Sequence, residues 1–155
     1  MTDIQLKLKD AQNKALLLME MAAQNNLIVA GQTEKMLNEK IYELAKEQFG
    51  ITKFWHKRIV RSGKNTLLPY KENPENLIIQ ANDILFFDLG PVFEEWEADI
   101  GDTFVIGTDA TKLKLQKDVR EAFEIGKNYF NNHPKITGAE LYQYTCSLAE
   151  KMGWK

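Results

Sequence analysis

The sequence holds a single cysteine, Cys146, among 155 residues, so no internal disulfide can form and nothing requires an oxidising compartment. Histidine is equally scarce, with two residues, and proline numbers four. No apolar run approaches the length that spans a bilayer. The N-terminus, carrying Asp3, Lys7, Lys9 and Asp10, lacks the apolar block of a signal peptide. A cytoplasmic protein with no membrane partner is therefore expected. An excess of one charge is missing too: Lys and Arg number 20 against 22 for Asp and Glu, a net charge of −2. Nucleic-acid binding, which shows as a basic stripe, is not expected. The local run of Lys53, His56, Lys57, Arg58, Arg61 and Lys64 reads as a solvated strand and loop. Cys146 falls in an amphipathic helical pattern without a histidine partner and reads as a small core residue.

What is present suits one globular domain, with 44% hydrophobic and 27% charged residues. Ile4, Leu8, Ala11, Ala15, Leu18 and Ala22 recur at three- and four-residue steps and predict a long amphipathic helix. A second helix follows Gly31, with Thr33 as N-cap, Glu34 in a first turn that favours negative charge, and Gly50 as the closing glycine. Its apolar face is Leu37, Ile41, Leu44, Ala45 and Phe49. Residues 51–60 are rich in β-branched and aromatic types, 62–76 read as a loop, and 84–89 and 98–106 read as strands. Two more helices end the chain. One carries Leu115, Val119, Ala122, Gly126 and Phe130 and breaks at His133-Pro134. The other opens on Thr137-Gly138-Ala139-Glu140, a capping box, and turns Leu141, Tyr144, Leu148 and Met152 inward.

The order helix, helix, strands, helix, helix contains a weak internal repeat, since the two helix pairs share a similar linker and cap. The first pair leads into a sheet and the second does not. A chain that continues past Lys155 is thus expected, with an uncovered sheet edge meanwhile favouring association.

Asp88 and Asp99 carry the most information. Asp88 lies in the apolar run Ile84-Leu85-Phe86-Phe87-Asp88-Leu89, where an isolated carboxylate is costly to bury. A hairpin symmetric about Phe93-Glu94 sets Asp88 directly opposite Asp99 at a strand position, with Cβ atoms about 4.5–5.5 Å apart. Like charges so placed call for a cation between them, and paired cations share carboxylates at about 3.5–4 Å. The plainer alternative is that one Asp caps a turn while the other pairs with a Lys or Arg. Neither His56 nor His133 is well placed by sequence to add a ligand. The aromatics Trp55, Phe86, Phe87, Phe93, Trp96 and Phe104 read chiefly as core or hairpin packing.

Asp88-Leu89-Gly90, the ten-residue interval, and Asp99-Ile100-Gly101-Asp102-Thr103-Phe104-Val105-Ile106-Gly107 resemble the central signature of the pita-bread metallopeptidases: methionine aminopeptidases, Xaa-Pro aminopeptidases, prolidase and creatinase. Gly31-Gln32-Thr33-Glu34 and Arg61-Ser62-Gly63-Lys64-Asn65-Thr66 extend the resemblance over nearly the whole chain, and Leu68-Pro69-Tyr70-Lys71-Glu72-Asn73 brings it nearest to compact Xaa-Pro aminopeptidases. The resemblance implies an α+β pita-bread fold, truncated: a helix pair, antiparallel strands with a hairpin, a second helix pair, and second-half strands missing. Residues 1–155 would form the N-terminal part of one catalytic domain, with its first half at about 1–107 and second-half helices at about 108–155. It further implies that Asp88 and Asp99 bind two divalent metals, Mn most readily for hard oxygen ligands, with Co, Fe or Zn as alternatives. A histidine, two glutamates and the catalytic residues would follow Lys155. The activity implied is hydrolysis of the N-terminal bond of short peptides by metal-activated water, with a glutamate shuttling protons. A homodimer would be in keeping with the relatives.

Three departures from the pattern stand out. The remaining ligands are not in this chain. A substrate-contacting histidine of the Leu-His-Tyr segment is replaced in Leu68-Pro69-Tyr70, leaving His56 and Tyr70 as substrate-binding candidates, although His56 otherwise reads as a surface residue. Gly101-Asp102 replaces Thr-Arg and adds negative charge beside the site. A non-catalytic pita-bread module that binds peptides or proteins is the main alternative, and a creatinase-like enzyme cleaving a small C–N substrate is a third. Incubated with Mn²⁺ and an Xaa-Pro peptide, the 155-residue chain alone is expected to show no turnover; measurable release of the N-terminal residue would overturn that expectation.

Overall fold

The computed structural model describes residues 2–155, which divide into two units, one ending at Thr108 and the other running from Asp109 to Lys155. In the first, helix α1 (Asp3–Gln24) opens with a reciprocal capping box between Thr2 and Gln5. Only its later turns are buried, through Ala11, Ala15, Leu18, Met19 and Ala22. Ile4 and Leu8, expected on the same stripe, are exposed, because the helix runs past the elements that cover it. Helix α2 (Glu34–Phe49) begins and ends where its local signals lie: the Thr33 hydroxyl accepts from Met36 N, and Gly50 closes it in the left-handed region at φ 67°. That conformation costs glycine nothing.

Three antiparallel strands form the sheet, in the order β1 (Ile59–Ser62), β2 (Asp83–Leu89), β5 (Ile100–Ile106). Between β2 and β5 a small two-stranded hairpin is built from β3 (Val92–Phe93) and β4 (Trp96–Glu97). The β-rich stretch at 51–60 yields strand only from Ile59 onward, with a single bridge from Phe54 to Pro91. The expected loop contains a 3₁₀ turn at Gly63–Leu67. Alternation along β2 is strict: Asp83, Leu85, Phe87 and Leu89 are buried, while Ile84, Phe86 and Asp88 are half-buried on the other face. Leu85, Phe87 and Leu89 join the α1 and α2 residues in one core. Asp88 therefore stands on the sheet face turned away from that core.

One buried carboxylate ties these elements together. Glu34, the first residue of α2, is 6% exposed. Its Oε1 accepts from Ser62 N at 2.6 Å, Ser62 Oγ at 3.2 Å and Asn65 Nδ2 at 3.1 Å. Its Oε2 accepts from Asn65 Nδ2 at 3.0 Å and Leu77 N at 3.2 Å. A ladder of Gly31 N to Ile79 O, Ile79 N to Gln32 O and Glu34 N to Leu77 O completes the seam. Arg61 is also buried, at 4%, contrary to its expected solvated place. Its guanidinium donates to the carbonyls of Leu68, Pro69 (3.1 Å) and Glu72 (2.9 Å), so its charge is satisfied by a loop rather than by water.

In the second unit, α3 (Ala110–Asn132) and α4 (Gly138–Lys151) pack together, burying Gly126 and Leu148. Tyr129 and Tyr144 stack with centroids 3.6 Å apart. The Thr137–Glu140 capping box is present. A helix pair covers only one strip of each member, so Val119 and Phe130, expected inward, are exposed, as is Phe123. Cys146 is exposed as well, not a core residue, and lies beside Tyr142 on the outer side of α4. Among the described residues no helix is long and apolar enough to cross a membrane.

Replacing Glu34 with Ala strands the Ser62, Asn65 and Leu77 donors in the interior. At about 1–3 kcal/mol for an unsatisfied buried group, Glu34→Ala should lose about 3–5 kcal/mol in urea unfolding. Glu140→Ala, in an exposed capping box, should lose only about 1 kcal/mol.

Candidate metal centre

The hairpin after β2 decides where the two aspartates meet. Its turn falls on Glu94-Glu95, with Glu94 in the left-handed region at φ 58°, and Val92 pairs with Glu97 and Phe93 with Trp96. The turn is thus one residue later than expected, and the register slides by two. Asp88 faces Gly101, not Asp99, and Asp99 lies just ahead of β5 instead of within it. A slide of two keeps a side chain on its face, whereas a slide of one would have reversed it. Asp99 consequently still reaches the Asp88 side, on a diagonal. Asp102 pairs with Phe87, which places it on the core-facing side, so it is not the neighbour of Asp88 that the sequence suggested.

A third residue joins them. Residues 53–56 run alongside the start of the hairpin, held by Val92 N to Lys53 O (3.0 Å), Trp55 N to Gly90 O (2.9 Å) and Trp55 Nε1 to Ala98 O (2.9 Å). This brings His56 Nε2 to 3.6 Å from Asp88 Oδ1 and 3.8 Å from Asp99 Oδ1. The side chains are 10% (His56), 40% (Asp88) and 66% (Asp99) exposed. One donor atom from each lies within 4.8 Å of the others. His56 Nδ1 sits 2.8 Å from Lys57 O, which fixes Nδ1 as the N–H donor. His56 is therefore not a surface residue, and Trp55, read as packing, is 45% exposed beside it. Their approach depends on Gly90: a Cβ there would lie 2.4 Å from His56 Cδ2 and 2.6 Å from Trp55 Nε1.

Tyr70 borders the same cluster. Its ring centroid is 6.2 Å from that of His56, and its hydroxyl accepts from Lys57 N at 3.3 Å. Lys57 Nζ in turn binds Tyr70 O and Asn73 Oδ1. The buried Arg61 holds the 68–72 carbonyls that carry Tyr70. Of the two substrate candidates from the sequence, His56 stands beside Asp88 and Tyr70 borders His56. His133 belongs to the second unit, with its Nδ1 2.7 Å from Tyr129 O.

Burial raises the Asp88 pKa above its ordinary value, and the Asp99 charge raises it further, while His56 and Arg61 act in the opposite sense. Two carboxylate oxygens and one imidazole nitrogen fit a divalent first-row cation. Sequence reasoning missed Trp55, Gly90 and the approach of His56. The aromatic, β-branched character of 51–60 was a signal for pairing, but nothing in it named Pro91 as the partner.

Residues 7–155 match the pattern that defines Metallopeptidase family M24. The chain is 29% identical over 128 residues to the Xaa-Pro dipeptidase of Lactobacillus helveticus, covering 82% of this chain and 34% of that protein. It spans between 24 and 34% of the length of the curated relatives it matches. Among solved structures, a prolidase from Thermococcus sibiricus superposes with a TM-score of 0.73 at 23% identity, over 95% of this chain and 40% of that one. The X-Pro aminopeptidase from Thermotoga maritima gives 0.65 at 26%, over 77% and 33%. The fold is the pita-bread fold.

Gly90→Ala should displace His56 and Trp55 together. Expected are a loss of about 1–3 kcal/mol in urea unfolding and a shifted tryptophan emission as the Trp55–Ala98 bond opens. Unchanged emission would mean that the segment adapts without moving.

Proposed function

The chain belongs to metallopeptidase family M24, and from that premise we propose that it forms the first half and the opening helices of the second half of a metal-dependent, Xaa-Pro aminopeptidase-like catalytic domain. The observation that carries this reading is the convergence of Asp88 and Asp99 at the base of the hairpin, on the sheet face opposite the core. Xaa-Pro peptidases among the sequence relatives and structural neighbours support the substrate class. Asp88 and Asp99 would hold the cations, two in the complete site, with Mn²⁺ preferred on account of the oxygen donors and Co, Fe or Zn as alternatives. When bound, such ions polarise a carbonyl and generate a nucleophile from water near neutral pH.

The remaining roles belong to this chain's own side chains. The sheet presents Asp88 rigidly, and the Trp55–Ala98 bond keeps the Asp99 segment beside it. Exposed Trp55 and Tyr70 offer apolar surface next to the carboxylates, suited to the side chains of a short peptide. Tyr70 is the substrate-facing residue, held by Lys57 and by the Arg61-bound loop. A cytoplasmic peptide pool and a homodimer complete the proposal.

The reading is tested by calorimetric titration of Mn²⁺ into the 155-residue chain and into Asp88→Asn and Asp99→Asn. Each substitution should weaken binding by about 100-fold; titration curves identical to wild type would remove both residues from the site. Protein purified from its native source should release the N-terminal residue from Xaa-Pro peptides, stop on chelation and recover with Mn²⁺.

A further inference from the structure

His56, a substrate-binding candidate by sequence, stands close enough to the carboxylates for a different role. It is nine-tenths buried, yet its Nε2 makes no hydrogen bond: the nearest carboxylate oxygens, at 3.6 and 3.8 Å, lie beyond hydrogen-bonding reach. With Nδ1 donating to Lys57 O, neutral imidazole turns the Nε2 lone pair toward two negative oxygens. A histidinium free to pair with Asp88 would close to about 2.8 Å. Neither arrangement accounts for the gap, whereas a cation in it accounts for all three atoms.

We propose that His56 Nε2 joins Asp88 and Asp99 as a third ligand to one first-row divalent cation, all three donors being supplied by this chain. The proposal rests on the metallopeptidase reading and extends it, since that reading takes only the aspartates from this part of the domain. Donor atoms sharing one cation at bonds of about 2.1 Å stand roughly 3.0–3.5 Å apart. The 3.6 and 3.8 Å separations from His56 need only a few tenths of an ångström of closure, and the two aspartate oxygens, within 4.8 Å of each other, close further on the ion by side-chain rotation. Two carboxylates and one neutral imidazole carry two negative charges, matching a divalent ion.

The supporting structure has the features of a built ligand. Nδ1–H bound to a backbone carbonyl fixes ring orientation and tautomer, as it does for metal-bound histidines generally. The backbone of the preceding residues is fastened to the hairpin at Gly90 and Val92, so His56 is carried on the same element as the aspartates. Gly90 leaves room for the ring where any Cβ would collide with it at 2.4 Å. A histidine that only touched peptide would have no need of Nε2 aimed between two carboxylates.

The test uses the 155-residue chain and Mn²⁺ alone. Electron spin echo modulation of bound Mn²⁺ should show a directly coordinated nitrogen in the wild type. Labelling histidine with ¹⁵N should convert that signal to the ¹⁵N pattern in the unmutated protein. Since the chain has two histidines, His133→Ala should leave the signal in place and His56→Ala should abolish it. His56→Ala should also weaken Mn²⁺ binding by at least about tenfold, and circular dichroism checks its fold. A wild type that binds Mn²⁺ through Asp88 and Asp99 without nitrogen modulation overturns the His56 assignment and leaves the metallopeptidase reading standing. A wild type that binds no Mn²⁺, like Asp88→Asn and Asp99→Asn, overturns the three-ligand site and leaves the family membership standing.

Discussion

The first unit is organised around the Glu34 carboxylate. A buried carboxylate is tolerated only when its lone pairs are filled, and here the backbone N–H groups of Ser62 and Leu77, the Ser62 hydroxyl and the Asn65 amide fill them. Those donors come from the end of β1, the 3₁₀ turn and the strand-like segment before β2. Three separate pieces of chain are thereby registered to the first turn of α2, where the helix dipole also favours the charge. The position of β1 follows, and with it the ladder to β2 and the height of Asp88 in the sheet.

Arg61 extends this order toward the candidate site. It leaves β1 opposite Phe86 and spends its guanidinium on carbonyls of the 68–72 loop. The loop is thus pinned from inside, and Tyr70 is held near His56. On the other side, the hairpin and the 53–56 segment clasp each other through backbone bonds and the Trp55 indole. The cluster of Asp88, Asp99 and His56 stands where these two constructions meet. Glycine is required at Gly90 because two rings occupy the space of its missing side chain. It is required at Gly101 because a Cβ there would lie 2.9 Å from Phe87 O, across the ladder.

The parts of this arrangement that were readable in the sequence are those with local causes. Thr33, Gly50 and Thr137 mark helix ends because capping is completed within a few residues. The alternation of β2 assigned Asp88 to a face, and the approach of Asp99 to the same side survived a wrong register because the error was an even number of residues. The error itself arose at Glu94, a non-glycine residue in the left-handed region, which carries no turn signature. From sequence Arg61 reads as solvated because its acceptors are backbone carbonyls, and carbonyls are the same in every sequence. Cys146 and Val119 read as buried, yet are exposed, because helical periodicity reports an apolar stripe without reporting how much of it a partner covers.

By itself the sequence determined the helices, their caps, the central strands and the family motif around Asp88 and Asp99, since each depends on neighbours along the chain or on spacing within one hairpin. Tertiary structure alone decided that Glu34 is an anchor, that Arg61 is buried and that His56 stands beside the two aspartates. Those outcomes depend on which distant backbone groups come to face a side chain, and hydrogen-bonding and close-packing partners of that kind are chosen only when the segments have folded against each other.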